Sequence, residues 1–257
     1  MTPAPHMEPG ALAQASCLPP DNERRVAGGK ECLAIRTFRS ANPGPEPTLV
    51  VFIHGDLNDG GTADYIYQRA REAVTDGRIV VGLVRPGYAD AEGNQSTGDT
   101  FGRGDNYTAH NVDAVAAAIK ALREYHKASH VVLVGHSGGA AIGGVILGRH
   151  PGLVDGAVLA ACPCDIAAWR AGRREWRRSL SPDGFVNRVP ASTRVVAITG
   201  DKDDNTSPIL ADNYAKKLAR RGVPARFVLV AGAGHNDVMR RTELRAALEE
   251  LVSQLGR

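Results

Sequence analysis

The amino-acid sequence predicts an α/β fold built on a mainly parallel, doubly wound sheet. Three observations carry that prediction. Short runs rich in valine and isoleucine alternate with longer stretches of helical periodicity from Thr48 to the C-terminus. One such run, Val131–Val134, passes through a glycine-rich turn straight into a small-residue segment, Ala140–Gly148. The length, 257 residues, suits one domain with a sizeable core.

Composition narrows the function classes. Apolar residues make up 43% and charged residues 23%, ordinary for a globular chain, and the net charge of +3 is too small to argue for a nucleic-acid partner. No uninterrupted apolar run approaches the roughly 18 residues of a membrane span, so no membrane partner is expected. Residues 1–23 read as a flexible N-terminal segment ahead of a domain at 24–257, since Met1–Pro20 is rich in proline and alanine and lacks periodicity. Ala13-Gln14-Ala15 resembles the end of a secretory signal, without the basic and apolar regions that precede one: a coincidence, or a trimmed signal. Four cysteines allow three pairings. A Cys17–Cys32 bridge would staple the tail to the first hairpin and imply an oxidising compartment, secreted or periplasmic; the alternative is four free thiols in the cytosol. Export is the favoured reading of the two.

In chain order, Arg24–Ala27 and Cys32–Arg39 flank Gly28-Gly29-Lys30 and predict an opening hairpin. Thr48–Ile53 is a buried central strand that ends in His54-Gly55-Asp56. Thr62–Thr75 reads as a helix with Thr62 as a cap, and Arg78–Arg85 as the next parallel strand. The polar, glycine-rich stretch from Pro86 to Asn106 is long for a loop in a compact domain, and loops of that length are usually functional or disordered. Asn106–His126 is a helix with apolar residues at 112, 115, 119 and 122. Strands are expected at Asp155–Ala161, Val195–Thr199 and Phe227–Val230, and helices at Pro208–Arg221 and Thr242–Leu255.

The stretch Val131–Gly139 organises the rest. Four apolar residues, three of them β-branched, run into Gly135-His136-Ser137-Gly138-Gly139, which fits the G-x-S-x-G pattern of a nucleophile elbow. Its serine sits on a strained strand-to-helix turn where larger neighbours would clash. This stretch resembles the α/β-hydrolase family, and the likeness extends from about Ile35 to the C-terminus. Arg85-Pro86-Gly87-Tyr88, followed by Ser96 and Gly98, looks like the family's R-P-G-x-G-x-S region in stretched form. The resemblance implies an α/β-hydrolase fold with a short helical cap and an oxyanion hole made by the backbone N–H groups of Asp56 and Gly138. His54 reads as a brace for its loop, and the Asp56 side chain receives no catalytic duty.

A serine hydroxyl needs a histidine to take its proton and a carboxylate to orient that histidine. Of eight histidines, only His54, His136 and His235 lie in strand-end loops near motif glycines. His136 would point away from the neighbouring hydroxyl. His235, in Gly232-Ala233-Gly234-His235 after the last strand, stands where the family places its general base. For the acid, Thr199-Gly200-Asp201-Lys202-Asp203-Asp204 offers three aspartates. The G-x-x-D spacing selects Asp203, with Asp201 as runner-up and Asp165 as a remote alternative one strand earlier.

An insertion at about 162–193 is expected to form the cap. Ile166–Leu180 reads as a helix with Trp169, Gly172, Trp176 and Leu180 on one face and a stripe of Arg170, Arg173, Arg174, Arg177 and Arg178 beside them. Trp169, Arg173 and Trp176 are therefore substrate-binding candidates. The stripe is either a solvated helix face or a device for recognising an anionic substrate group. The resemblance as a whole implies a metal-independent, cofactor-free serine hydrolase cleaving the carboxylic ester of a small molecule through Ser137, His235 and Asp203. An aminopeptidase-like amidase and a perhydrolase would use the same residues, and the rival from another class is a binding protein that has lost the chemistry. The sequence carries no signal for oligomeric state.

Overall fold

The computed structural model describes residues 17, 20–58 and 61–256; most of the predicted N-terminal segment, with Ala13-Gln14-Ala15, lies outside them. The described residues form one eight-stranded sheet in the order β1-β2-β4-β3-β5-β6-β7-β8. These strands are β1 (Arg25–Gly28), β2 (Glu31–Arg39), β3 (Thr48–Ile53), β4 (Arg78–Leu83), β5 (His130–His136), β6 (Gly156–Ala160), β7 (Arg194–Gly200) and β8 (Ala225–Val230). The opening hairpin pairs antiparallel, and β2 runs antiparallel to β4; all pairings from β4 to β8 are parallel. This is the α/β-hydrolase fold.

The apolar runs are continuous because both sheet faces are covered. Along β3, Leu49, Val51 and Ile53 join one core while Val50 and Phe52 join the other, and β5 divides its residues in the same way. The first core is closed by α2 (Ala109–Tyr125), α3 (Gly138–Arg149) and α5 (Pro208–Arg220). The second is closed by α1 (Asp64–Glu72) and α6 (Thr242–Leu255). Every residue of α3 except Arg149 is buried, which is why that helix is made of glycine, alanine and aliphatics.

Two helix starts differ from expectation. Thr62 does not cap α1; the cap position is Ala63, and no side chain bonds there. Helix α2 begins at Ala109, not Asn106, because the Thr108 hydroxyl accepts the Asn111 N–H and sets the first turn there. Asn106 and Tyr107 are thereby released to turn inward, and both are buried. The loop between β4 and α2 is ordered by its own polar groups. Asp90 Oδ1 accepts the N–H groups of Glu92 and Asn94, and the Ser96 hydroxyl donates to the Val84 carbonyl.

Cys17 and Cys32 are bridged, as the favoured pairing requires, and a second bridge joins Cys162 to Cys164 across Pro163. Among the described residues no helix is long and apolar enough to cross a membrane.

The cap differs most. Only Ile166–Trp169 is α-helical (α4), and a 3-10 turn at Pro182–Arg188 follows after an irregular stretch. Three causes are visible. Gly172 adopts φ +73°, a left-handed conformation that ends a helix. The N–H groups of Arg177, Arg178 and Ser179 all go to the Asp105 carboxylate instead of to carbonyls one turn back. Five arginines within nine residues would also repel one another along a helix. The predicted stripe therefore breaks up: Arg170 lies over the rings of Trp169 and Trp176, Arg178 over Phe101, and Arg177 pairs with Glu175.

Candidate active site

Strand β5 delivers Ser137 to the turn before α3 with φ 51° and ψ −117°, a backbone state that L-residues rarely adopt. The flanking glycines make it accessible. A Cβ on Gly135 would lie 2.6 Å from the Ala140 Cα, and one on Gly139 would lie 2.3 Å from the Ile53 carbonyl oxygen. The Ser137 N–H donates to the Ala160 carbonyl at 2.8 Å, which ties the elbow to β6.

The loop after β8 brings His235 to the elbow from 98 residues away, with Nε2 3.0 Å from Ser137 Oγ. On the other side of the ring, Nδ1 lies 2.9 and 3.1 Å from the two Asp203 carboxylate oxygens. Burial would push the Asp203 carboxyl up, but hydrogen bonds from His235, the Thr206 N–H and the Thr206 hydroxyl outweigh it and hold the pKa below the ordinary value. An ionised Asp203 accepts a hydrogen bond from Nδ1–H and so keeps the proton on Nδ1, which leaves the lone pair of Nε2 facing the serine. Asp201 and Asp165 are occupied elsewhere. Asp201 accepts the Gly232 N–H at 2.7 Å, and Asp165 caps α4 by accepting the Ala168 N–H at 3.0 Å.

Asp56 lies against the elbow. A Cβ on Gly138 would meet Asp56 Oδ1 and Arg85 Nη1, each at 2.6 Å. As the first residue of α3, Gly138 has an N–H outside the helix's own hydrogen-bond ladder. The Asp56 carboxylate is neutralised in place: Oδ1 pairs with buried Arg85 at 2.9 Å and Oδ2 accepts from the Tyr107 hydroxyl. Arg85 in turn reaches Asn106 Oδ1 at 2.7 Å. His54 is fully buried; its Nε2 accepts the Arg85 N–H and its Nδ1 faces the Gly55 carbonyl, which makes it the brace expected. Burial and the neighbouring Arg85 charge push its pKa well below the ordinary value.

Sequence reasoning missed a chain of hydrogen bonds behind the serine. The Gly55 N–H donates to the Tyr65 hydroxyl at 2.6 Å, and Tyr65 lies 2.9 Å from His136 Nδ1. His136 Nε2 lies 3.1 Å from the carbonyl oxygen of His235. A carbonyl only accepts, so Nε2 carries the proton, Nδ1 accepts from Tyr65, and the phenol oxygen accepts from Gly55. Burial, with repulsion from His235 second, lowers the His136 pKa to about 4 and keeps this tautomer neutral.

Of the cap candidates, the structure brings the tryptophans toward the site and not Arg173. Trp169 donates its indole N–H to the Asn205 carbonyl at 2.9 Å, and the Asn205 amide nitrogen lies 3.3 Å from His235 Nε2. Trp176 packs edge-on between Trp169 and Tyr107, with ring centroids 5.0 and 5.1 Å away. Arg173 is exposed on the turn beyond α4. Asn205 was invisible to the spacing argument because only the fold of the Asp203 loop turns it back over the imidazole. Among the described residues no group of three His, Cys, Asp or Glu is placed to hold a metal ion.

The sequence profile of the prolyl oligopeptidase family matches residues 87–254, which include the elbow, Asp203 and His235. The chain belongs to the prolyl oligopeptidase family. As a member it is a serine hydrolase on the α/β-hydrolase fold. No curated protein matches this family member. Solved structures with the same fold include Est1E of Butyrivibrio proteoclasticus with ferulic acid bound (13% identity, TM-score 0.69, covering 91% of this chain and 99% of that one). A truncated carbohydrate esterase from gut microbiota is similar at 15% identity and a TM-score of 0.65, over 87% of this chain and 91% of that one. The proline iminopeptidase of Mycobacterium smegmatis is similar at 15% identity and 0.65, over 90% and 98%.

Proposed function

We propose that this family member cleaves a carboxylic ester of a small or medium-sized substrate through an acyl-enzyme. One observation carries the reading: His235 Nε2 at 3.0 Å from Ser137 Oγ while Nδ1 faces Asp203 at 2.9 Å. In this mechanism Ser137 Oγ attacks the carbonyl carbon as Nε2 takes its proton. The developing oxyanion is met by the backbone N–H groups of Asp56 and Gly138. The carbon–oxygen bond to the leaving group then breaks, and the imidazolium returns the proton to the departing alcohol. Water, deprotonated by His235, attacks the acyl-enzyme and frees the acid and the serine. Similarity to Est1E and to a carbohydrate esterase favours an ester as substrate; the family and the likeness to a proline iminopeptidase favour an amide as the second reading. Trp169 and Trp176 border the site and are proposed to contact substrate.

Labelling with a fluorophosphonate and hydrolysis of matched aryl esters and aminoacyl anilides test both points. The expected result is one covalent adduct at Ser137 and faster turnover of esters. An unlabelled Ser137 in folded protein would turn the reading toward a binding protein, and preferential cleavage of the anilides would replace the ester by the amide.

A further inference from the structure

A cavity of about 490 Å³ opens beside the elbow, between the loop after β3, helix α1 and the 3-10 turn Asp237–Arg240 that follows His235. Asp56 and His136 both line it. They are the residue whose N–H is proposed to meet the oxyanion and the residue that precedes the nucleophile. The cavity therefore adjoins the elbow, and a substrate group seated in it would be linked to a carbonyl at Ser137. The volume lies within the range of small-molecule sites.

Two guanidinium side chains line the same cavity, Arg69 from α1 and Arg240 from the 3-10 turn, with the amides of Gln68 and Asn236 beside them. Each arginine has one carboxylate partner three residues away on its own element: Glu72 at 2.8 Å from Arg69, and Asp237 at 4.0 Å from Arg240. Neither of those carboxylates is among the described residues lining the cavity. A guanidinium has five N–H donors, and one carboxylate takes at most two or three, so both arginines keep donors for a ligand. Asp56 is the acidic residue among the described lining residues, and its charge is already matched by Arg85. A neighbouring cavity of about 180 Å³ shares Arg69 and Arg240 and adds Arg241 and Arg245; of its two glutamates, Glu249 is bound by Arg78 through both oxygens. Among the described residues lining the two cavities, the cations outnumber the free carboxylates.

We propose that this cavity is a subsite for a carboxylate carried by the substrate, held between Arg69 and Arg240 while the ester sits at Ser137. The proposal rests on the reading of Ser137 as nucleophile. It moves anion recognition from the predicted stripe at Arg173, which the fold disperses, to a cavity lined by Asp56 and His136. The Asn236 amide, and the second N–H of the Gln68 amide, whose first donates to Glu72 at 3.2 Å, supply further donors to the same group.

The test compares matched esters, 4-nitrophenyl hydrogen adipate with 4-nitrophenyl hexanoate, and 4-carboxyphenyl acetate with phenyl acetate. Each pair is measured in wild type and in Arg69→Gln, Arg240→Gln and the double variant, with the uncatalysed rate subtracted. Hydrogen bonds to a charged group predict a fall of about tenfold to a hundredfold in the anionic-to-neutral ratio of kcat/KM for at least one pair, mostly through KM. Arg69→Lys with Arg240→Lys keeps the charge and loses the fork, and its ratio should lie between wild type and the glutamine variants. Ratios within twofold of wild type for both pairs would overturn the subsite, provided fluorophosphonate still labels Ser137 and the neutral esters still turn over. Loss of that labelling in wild type itself would instead overturn the hydrolase reading on which the subsite rests.

Discussion

Replacing Tyr65 by phenylalanine removes one oxygen and breaks two hydrogen bonds at once. Gly55 loses the acceptor for its N–H, and His136 Nδ1 loses its donor. Both residues are buried behind the serine, where a Cβ on Gly55 would sit 3.0 Å from the Ser137 Cβ. An unsatisfied buried neutral group costs about 1–3 kcal/mol, so the pair should cost about 3 kcal/mol of stability. For a domain of this size that is a fall of roughly 6–12 °C in Tm. The hydrogen-bond chain also fixes the segments proposed to carry the oxyanion donor and the general base relative to each other, because Gly55 precedes Asp56 and His136 holds the His235 carbonyl. Loss of a whole oxyanion donor costs about 10²–10³ in kcat, and a loosened one should cost about tenfold to a hundredfold with little change in KM. Differential scanning calorimetry and steady-state kinetics on an activated ester read both effects. A Tyr65→Phe variant with wild-type Tm and kcat would refute the reasoning, since it would mean that the chain carries neither load.

Asp203→Asn should lower kcat by several orders of magnitude, and Asp201→Asn far less, because only Asp203 contacts His235; the reverse order in an ester assay would reassign the acid. Reducing the Cys17–Cys32 bridge, 15 residues apart, should cost about 3 kcal/mol in the chain-entropy model, read as a Tm difference between wild type and Cys17→Ser. His136 binds its proton near pH 4 when folded and near 6.5 when unfolded, so below pH 6.5 the unfolded state takes up a proton that the folded state refuses. Stability should therefore fall as the pH drops from 6.5 to 4, by about 3 kcal/mol from this group, with buried His54 acting in the same direction. Denaturant unfolding across that range should show a shallower loss in His136→Gln, and parallel curves would rule the group out.

Much of the fold was legible because buried parallel strands leave unbroken runs of β-branched residues, and helices leave a 3.6-residue period; Val131–Val134 and the apolar positions of α2 are read directly from those patterns. The elbow was legible for a related reason. Its strain and close packing are local, so the demand for glycine at 135 and 139 is written within five residues of Ser137. Elements whose hydrogen bonds could go to a distant partner were not legible. The cap looked helical by periodicity, but its N–H groups at 177–179 are taken by Asp105, more than seventy residues earlier. The start of α2 moved because Asn106 and Tyr107 serve the Arg85–Asp56 cluster instead of the helix.

By itself, the sequence determined the class of fold, the position of the strained serine, and a short set of residues from which His235 and Asp203 could be chosen. Only the tertiary structure decided which of those side chains meet. It set β3 beside β5, so that the loop after β3 and the residue before Ser137 share Tyr65 across 71 positions. It also brought Arg69 and Arg240 to one cavity from opposite ends of the chain. The physical reason is that backbone conformation responds to near neighbours, whereas the pairing of polar side chains depends on strand order, which only the packing of the whole core selects.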